Sequence, residues 1–185
     1  MSDFARNAGV VVLLAVSVGF GAWTTMQDPT VGEQLISLLK ESIMGEAVDT
    51  SGPMMAVILF FNNLQACVLM FVGGASLGLL TVFIISTNGV VIGSVLEMVR
   101  KDHSALYVVA AIVPHGLFEI PAFIVSGALG LMLAKALWRE WEGKEDASAL
   151  ALSYGRTFLL AVVPLVAVAA CVEAFITPEI LRVII

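Results

Sequence analysis

Residues 53–99, PMMAVILFFNNLQACVLMFVGGASLGLLTVFIISTNGVVIGSVLEMV, carry a single charged side chain, Glu97, close to their end. One bilayer crossing uses roughly 20 predominantly apolar residues, so this run must hold two crossings, or one crossing and a broken helix. Glycines mark where it would break. Gly73-Gly74 would permit a tight turn between helices, and Asn88-Gly89 offers a second interruption inside the membrane.

The flanking sequence repeats this character. Residues 7–25 are almost wholly apolar, outrun the roughly 7–15 residues of a cleaved signal core, and lead into Trp23, a side chain suited to a membrane interface. They are expected to be a retained first helix. Residues 27–52 are polar and acidic; within them Thr30-Val31-Gly32-Glu33 reads as a capping box ahead of Leu35, Ile36, Leu39 and Ile43, which predicts a short amphipathic helix. After the polar Arg100-Lys101-Asp102-His103, residues 105–138 are again apolar but contain Pro114 and Pro121. Each proline lacks an amide and frees the carbonyl four residues earlier, at Ala110 and Leu117, so kinks or a half-helix are expected. Residues 157–176 form the last clear crossing.

With 59% hydrophobic and 13% charged residues in a chain of 185, against roughly 45–50% and about 25% in soluble domains, the chain cannot cover itself with polar surface. The expectation is an all-α, polytopic transmembrane helix bundle of about five crossings, with broken or kinked helices near 88–89 and 114–121, forming one membrane domain over 1–185. An amino terminus inside the cell makes 26–53 an extracytoplasmic loop and 135–156, with Lys135, Arg139, Lys144 and Arg156, a cytoplasmic one. That arrangement leaves Arg100 and Lys101 outside, so a re-entrant segment within 88–114 stays open. The net charge of −6 and the scattered basic residues exclude a nucleic-acid footprint. The expected surroundings are the lipid bilayer of the cell membrane and other membrane proteins, a second copy of the chain included. Cys67 and Cys171, both in apolar stretches, read as small buried hydrophobes.

Polar side chains in hydrocarbon are the informative ones, because a charged residue at a helix centre costs roughly 2.5–3.5 kcal/mol on insertion scales. The candidates are Asn62, Asn63, Asn88, His115, Glu119 and Glu173, while Glu97, Arg100, Lys101 and His103 sit where solvation or snorkelling is expected. His115 and Glu119, four residues apart, share a helix face. They suit a hydrogen-bonded structural pair, a proton relay or part of a metal site. For zinc the pair supplies two ligands, and a third would have to come from His103 or Glu173. Adjacent Asn62 and Asn63 point about 100° apart on a helix, so one can serve a neighbouring helix and the other a cavity. Gly74 with Gly78, and Gly89 with Gly93, have the G-x-x-x-G spacing that lets helix backbones approach.

The order of these elements, Phe61-Asn62-Asn63, Gly73-Gly74 with Gly78, Asn88-Gly89 with Gly93, Pro114-His115-Gly116-Leu117-Phe118-Glu119, then Gly127 and Gly130, resembles the stage II sporulation protein M family of prokaryotic membrane proteins. The match covers roughly residues 55–135, and Pro-His-Gly-x-x-Glu at 114–119 is its most specific piece. The resemblance implies a polytopic helical protein of about five crossings. In spore-forming bacteria the namesake works in a membrane complex with cell-wall hydrolases during engulfment, while wider relatives in archaea and non-sporulating bacteria have no settled activity, so the resemblance points to a membrane-complex component and not to sporulation itself. With no catalytic triad, phosphate loop or cofactor fingerprint in the sequence, the expected role is a non-enzymatic scaffold or complex component without a cofactor. A transporter or channel using the His/Glu/Asn residues is the alternative, and an intramembrane metal-binding protein or enzyme a second one.

Overall fold

The computed structural model describes residues 3–44 and 52–184; of the residues in the expected 26–53 loop, 45–51 lie outside the described part. Helix α1 (Asp3–Gln27) is followed by α2 (Pro29–Met44), α3 (Gly52–Val72), α4 (Leu79–Asp102), α5 (Ala105–Trp141), α6 (Ala147–Thr157), α7 (Val163–Cys171) and α8 (Thr177–Ile184). A 3-10 turn, Gly73–Ser76, leads from α3 toward α4, and π-helical turns at Phe158–Val162 and Val172–Ile176 join α6, α7 and α8 into one continuous rod. Five helices are long and apolar enough to cross a membrane: 7–27, 52–76, 79–102, 105–141 and 147–184. The expected all-α polytopic bundle is what the chain forms, and no strand occurs among the described residues.

The interruptions fall elsewhere than expected. Helix α4 runs unbroken through Asn88-Gly89, and α5 stays helical through Pro114 and Pro121. The re-entrant alternative is therefore replaced by two long helices that meet at His103-Ser104, where the Ser104 hydroxyl caps α5 by accepting from the Tyr107 amide at 3.3 Å. The cap of α2 also differs. Asp28, not Thr30, accepts from the Thr30 amide (3.0 Å) and hydroxyl (2.7 Å), with Pro29 at the first helical position. These two bonds, hydroxyl first, hold the Asp28 carboxyl below its ordinary range.

Lipid tails are as apolar as leucine, so hydrophobic exclusion does not press transmembrane helices together; close packing and hydrogen bonds do. Glycine supplies the approach. A Cβ on Gly93 would collide with the Val18 carbonyl of α1, one on Gly21 with the Val90 carbonyl of α4, and one on Gly89 with Ser17 Cβ. Across this seam the Ser94 hydroxyl donates to the Gly21 carbonyl at 3.2 Å. The 89/93 spacing thus joins α4 to α1 within the chain. Gly74 abuts the Gly130 carbonyl of α5, while Gly78 lies in the turn itself at φ +86°, beside Leu77 at φ +56°. The Thr81 hydroxyl, fully buried, ties the start of α4 back to the Met70 carbonyl of α3 at 2.8 Å.

Helix α5 is the centre of the bundle and packs against α1, α3, α4 and the 147–184 rod. Met70 and Cys67 of α3, Ile85 of α4, Ala122 and Phe123 of α5, and Val162 and Val166 of the rod are at most 2% exposed and form its core with Val10 of α1. At 37 residues α5 is about 55 Å long, well beyond a hydrocarbon core of about 30 Å. Its last turns therefore project past the membrane on the side of the α1 amino terminus.

Candidate functional site

Three elements bring polar side chains into the membrane interior: α3 with Asn62, Asn63 and Cys67, α5 with His115, Glu119 and Ser126, and the second π turn with Glu173. Their depths follow from contacts along the bundle. Gly130 of α5 lies against the Met70 carbonyl of α3, and Gly74 against Gly130. Because α3 and α5 run the same way at about 1.5 Å per residue, Glu119 comes level with about residue 60 of α3, near that helix's midpoint. His115 lies one turn beyond. The 147–184 rod runs opposite to α3, with Phe158 stacked on Phe71 (5.4 Å between ring centres) and Phe175 against Gly52. Glu173 therefore comes level with about residue 54 of α3, on the side away from the α1 amino terminus.

Glu119 and Glu173 lie within electrostatic reach of one another, and Glu119 within reach of the Cys67 thiol. Both carboxyls are half-buried. Neither has a hydrogen bond or a cation beside it among the described residues. The sequence explains the missing cation: no Lys or Arg occurs in 52–72, 105–134 or 157–181. His115 is half-buried, and its Nδ1 is enclosed without a hydrogen-bond partner, so His115 and Glu119 share a face without forming a bonded pair. Ser126 is fully buried, and its hydroxyl lies against the Cys67 thiol.

The asparagines divide. Asn63 is buried and Asn62 exposed, yet Asn62 Nδ2 donates to Asn63 Oδ1 at 3.3 Å, a long bond between neighbours in sequence. Asn88 spends its amide on the Ile84 carbonyl of its own helix at 2.9 Å. Among the described residues no group of three His, Cys, Asp or Glu side chains is arranged to hold a metal ion, and His115 with Glu119 remains a pair of donors. Cys67 is fully buried, whereas Cys171 is exposed on the surface of the rod, which corrects the reading of both thiols as core.

Three polar residues were missed in the sequence. Glu97 is 5% exposed rather than solvated, and the Arg100 guanidinium grips it with two bonds of 2.7 Å, while Lys101 Nζ donates to the Thr25 carbonyl at 3.3 Å. A carboxylate followed three residues later by arginine was the available signal. Ser126, seven residues after Glu119, and Thr177, four after Glu173, each extend the face of an acid; small hydroxyls in apolar helices are common enough to pass unnoticed.

These elements define a helical membrane protein with an uncompensated acidic pair in its interior. The family model described as stage II sporulation protein M matches residues 10–178, and the chain belongs to that family. Two uncharacterized proteins of Methanocaldococcus jannaschii are similar to it: one is 29% identical over 123 residues, 64% of this chain and 68% of its own length; the other is 34% identical over 76 residues, 41% of this chain and 32% of its own. No solved structure matches.

Proposed function

We propose that the chain is a non-enzymatic component of a complex in the cell membrane, and that it holds partner proteins on the hairpin formed by the end of α5, the turn at Gly143 and α6. The observation carrying this reading is how firmly that protruding hairpin is built. Arg139 pairs with Glu145 (2.6 Å), Lys144 with Glu142 (2.9 Å), and the Trp138 indole donates to Glu142 (3.2 Å). Asp146 caps α6 through the Ser148 and Ala149 amides at 3.0 and 3.2 Å. On this frame Trp138 and Trp141 stand 47% and 79% exposed, edge to face at 5.2 Å. Rigid exposed tryptophans are the side chains that most often anchor protein contacts, because they bury a large area for little lost freedom. The basic residues of 135–156 favour a cytoplasmic position for the hairpin.

Cross-linking in native membranes tests the proposal. The parent chain is expected in adducts larger than one chain, and Trp138→Ala/Trp141→Ala to reduce them several-fold. A parent that cross-links to nothing, or a double variant with the full adduct pattern, rejects it. The acidic pair favours a second reading, transport of an ion, proton or small solute. A flux across reconstituted vesicles that Glu119→Gln abolishes would put that reading first.

A further inference from the structure

We propose that a second copy of the chain docks, in the plane of the membrane, on the lipid-facing side of α3, where the Asn62 and Gln65 carboxamides hydrogen-bond to the same two residues of that copy. The inference does not depend on the docking role of the hairpin, because it concerns another helix and a chain that needs no other protein.

Its first support is where these amides stand. The buried residues of α3 are Asn63, Cys67 and Met70, on the side that meets α4, α5 and the rod. Gln65 is exposed on the opposite side of the helix, and Asn62, one turn back, is exposed beside it, with Phe61, Leu69 and Val72 on the same face. The span 52–76 has residue 64 at its middle, so at about 1.5 Å per residue both amides lie within about 3 Å of the midpoint along the axis. No water reaches that depth, and an amide without a partner in hydrocarbon is costly. A helix offers one way out, and Asn88 takes it by donating to the Ile84 carbonyl at 2.9 Å. Asn62 and Gln65 do not. Asn62 donates to Asn63 Oδ1 over a long 3.3 Å, and the Gln65 side chain has no bond among the described residues.

The second support is that this face is its own complement. A carboxamide carries two N–H donors and a carbonyl acceptor, so an identical carboxamide is a full partner for it, as a carboxylate or an ammonium facing its like is not. A second copy inserts with the same topology and therefore presents Asn62 and Gln65 at the same depth. A two-fold axis along the membrane normal then sets the two α3 helices parallel and side by side, with each amide level with its counterpart, an isologous contact like that of most dimers. Phe61 and Leu69 flank the amides and supply packing, which together with interhelical hydrogen bonds carries helix association where hydrophobic exclusion does not. The other lipid-facing stripes lack this chemistry. Val109, Val113 and Leu117 of α5 and Leu159 and Leu160 of the rod are exposed but apolar, and acyl chains satisfy them.

Förster transfer between donor- and acceptor-labelled copies of the full chain, alone in liposomes and diluted stepwise with lipid, provides the test. The expected result is transfer that falls on dilution, with a midpoint moved about ten-fold or more toward higher protein density by Asn62→Leu/Gln65→Leu. Asn62→Gln/Gln65→Asn keeps two amides on the face and should associate nearly as the parent does. In a Cys67→Ala/Cys171→Ala chain, Leu69→Cys should form a disulfide between copies on oxidation, well ahead of Leu160→Cys on the rod. Unfolding of the monomer in dilute micelles should be unchanged or harder in the leucine pair, because leucine suits lipid; amides that served the chain's own fold would give the reverse. A parent monomeric at every density, a leucine pair that associates as tightly as the parent or unfolds more readily, or cross-linking as strong at Leu160 as at Leu69 would overturn the proposal. A parent that is monomeric alone yet captures a different membrane protein through Asn62 and Gln65 would overturn it too, assigning the face to that protein.

Discussion

Replacing Gly93 by alanine should loosen the α1–α4 seam by an amount the geometry bounds. The new methyl would meet the Val18 carbonyl carbon at 2.8 Å and the Ala22 amide nitrogen at 2.8 Å. Both are backbone atoms of a helix, which cannot step aside singly, so α1 must move as a whole. Overpacking of this kind costs about 1–3 kcal/mol. Parting the seam also loses the bond from Ser94 to the Gly21 carbonyl, about 0.6 kcal/mol in a membrane. Alanine returns about 0.5–1 kcal/mol of helix preference. The net is a loss of about 2 kcal/mol, roughly 30-fold in the folded-to-unfolded ratio. Gly19→Ala, in α1 with nothing within 4 Å of its Cβ position, keeps the helix gain without the clash and should be neutral or slightly stabilising. Reversible unfolding in mixed micelles, followed by circular dichroism, measures both. Gly93→Ala as stable as the parent, or Gly19→Ala as costly as Gly93→Ala, would refute the assignment of this seam to backbone contact.

Other expectations follow from single contacts. Thr81→Val keeps the shape of a fully buried side chain but removes the 2.8 Å bond to Met70, and should cost about 0.6–2 kcal/mol in the same unfolding assay. Arg100→Gln strands the Glu97 carboxylate and should lower the unfolding midpoint, while Glu97→Gln/Arg100→Gln should recover part of the loss; a double variant worse than the sum of the singles would count against the pair. In detergent, an apolar membrane-permeant maleimide should modify folded protein at the lipid-facing Cys171 before the enclosed Cys67, so Cys171→Ser should remove the faster phase of labelling, and persistence of that phase would contradict the burial of Cys67. Elemental analysis should find the same metal content in the parent and in His115→Ala, since two donors hold a metal weakly; zinc lost with the histidine would show that a third donor joins them.

Span number and position were legible because hydrocarbon thickness sets a length that composition reveals directly. Where those spans would break was not. Asn88-Gly89 looks like a break, but the asparagine satisfies itself on Ile84 and the glycine serves α1, so the helix has no reason to open. Pro114 and Pro121 remove amides without ending α5, as prolines in membrane helices often do. The π turns at Phe158–Val162 and Val172–Ile176 each end two residues before a proline, Pro164 and Pro178, whose missing amide breaks the regular bonding of the turn ahead of it. Within the candidate site, Glu119 and His115 were visible as expensive side chains and Glu173 as an isolated one. That the two acids come within electrostatic reach of one another depends on the antiparallel register of the rod against α3, set by Phe71, Phe158, Gly52 and Phe175.

The seam between Gly21 and Gly93 joins helices that leave the ribosome far apart in time. While α2 and α3 are being made, α1 already sits in the bilayer with Ser17, Gly21 and Ala22 facing no mate. A nascent chain therefore carries an unmatched stripe of small residues until α4 arrives, and insertion factors or lipid must shield it in that interval. Lengthening the α2–α3 connection would prolong that wait, so biogenesis should suffer before the finished protein loses any stability.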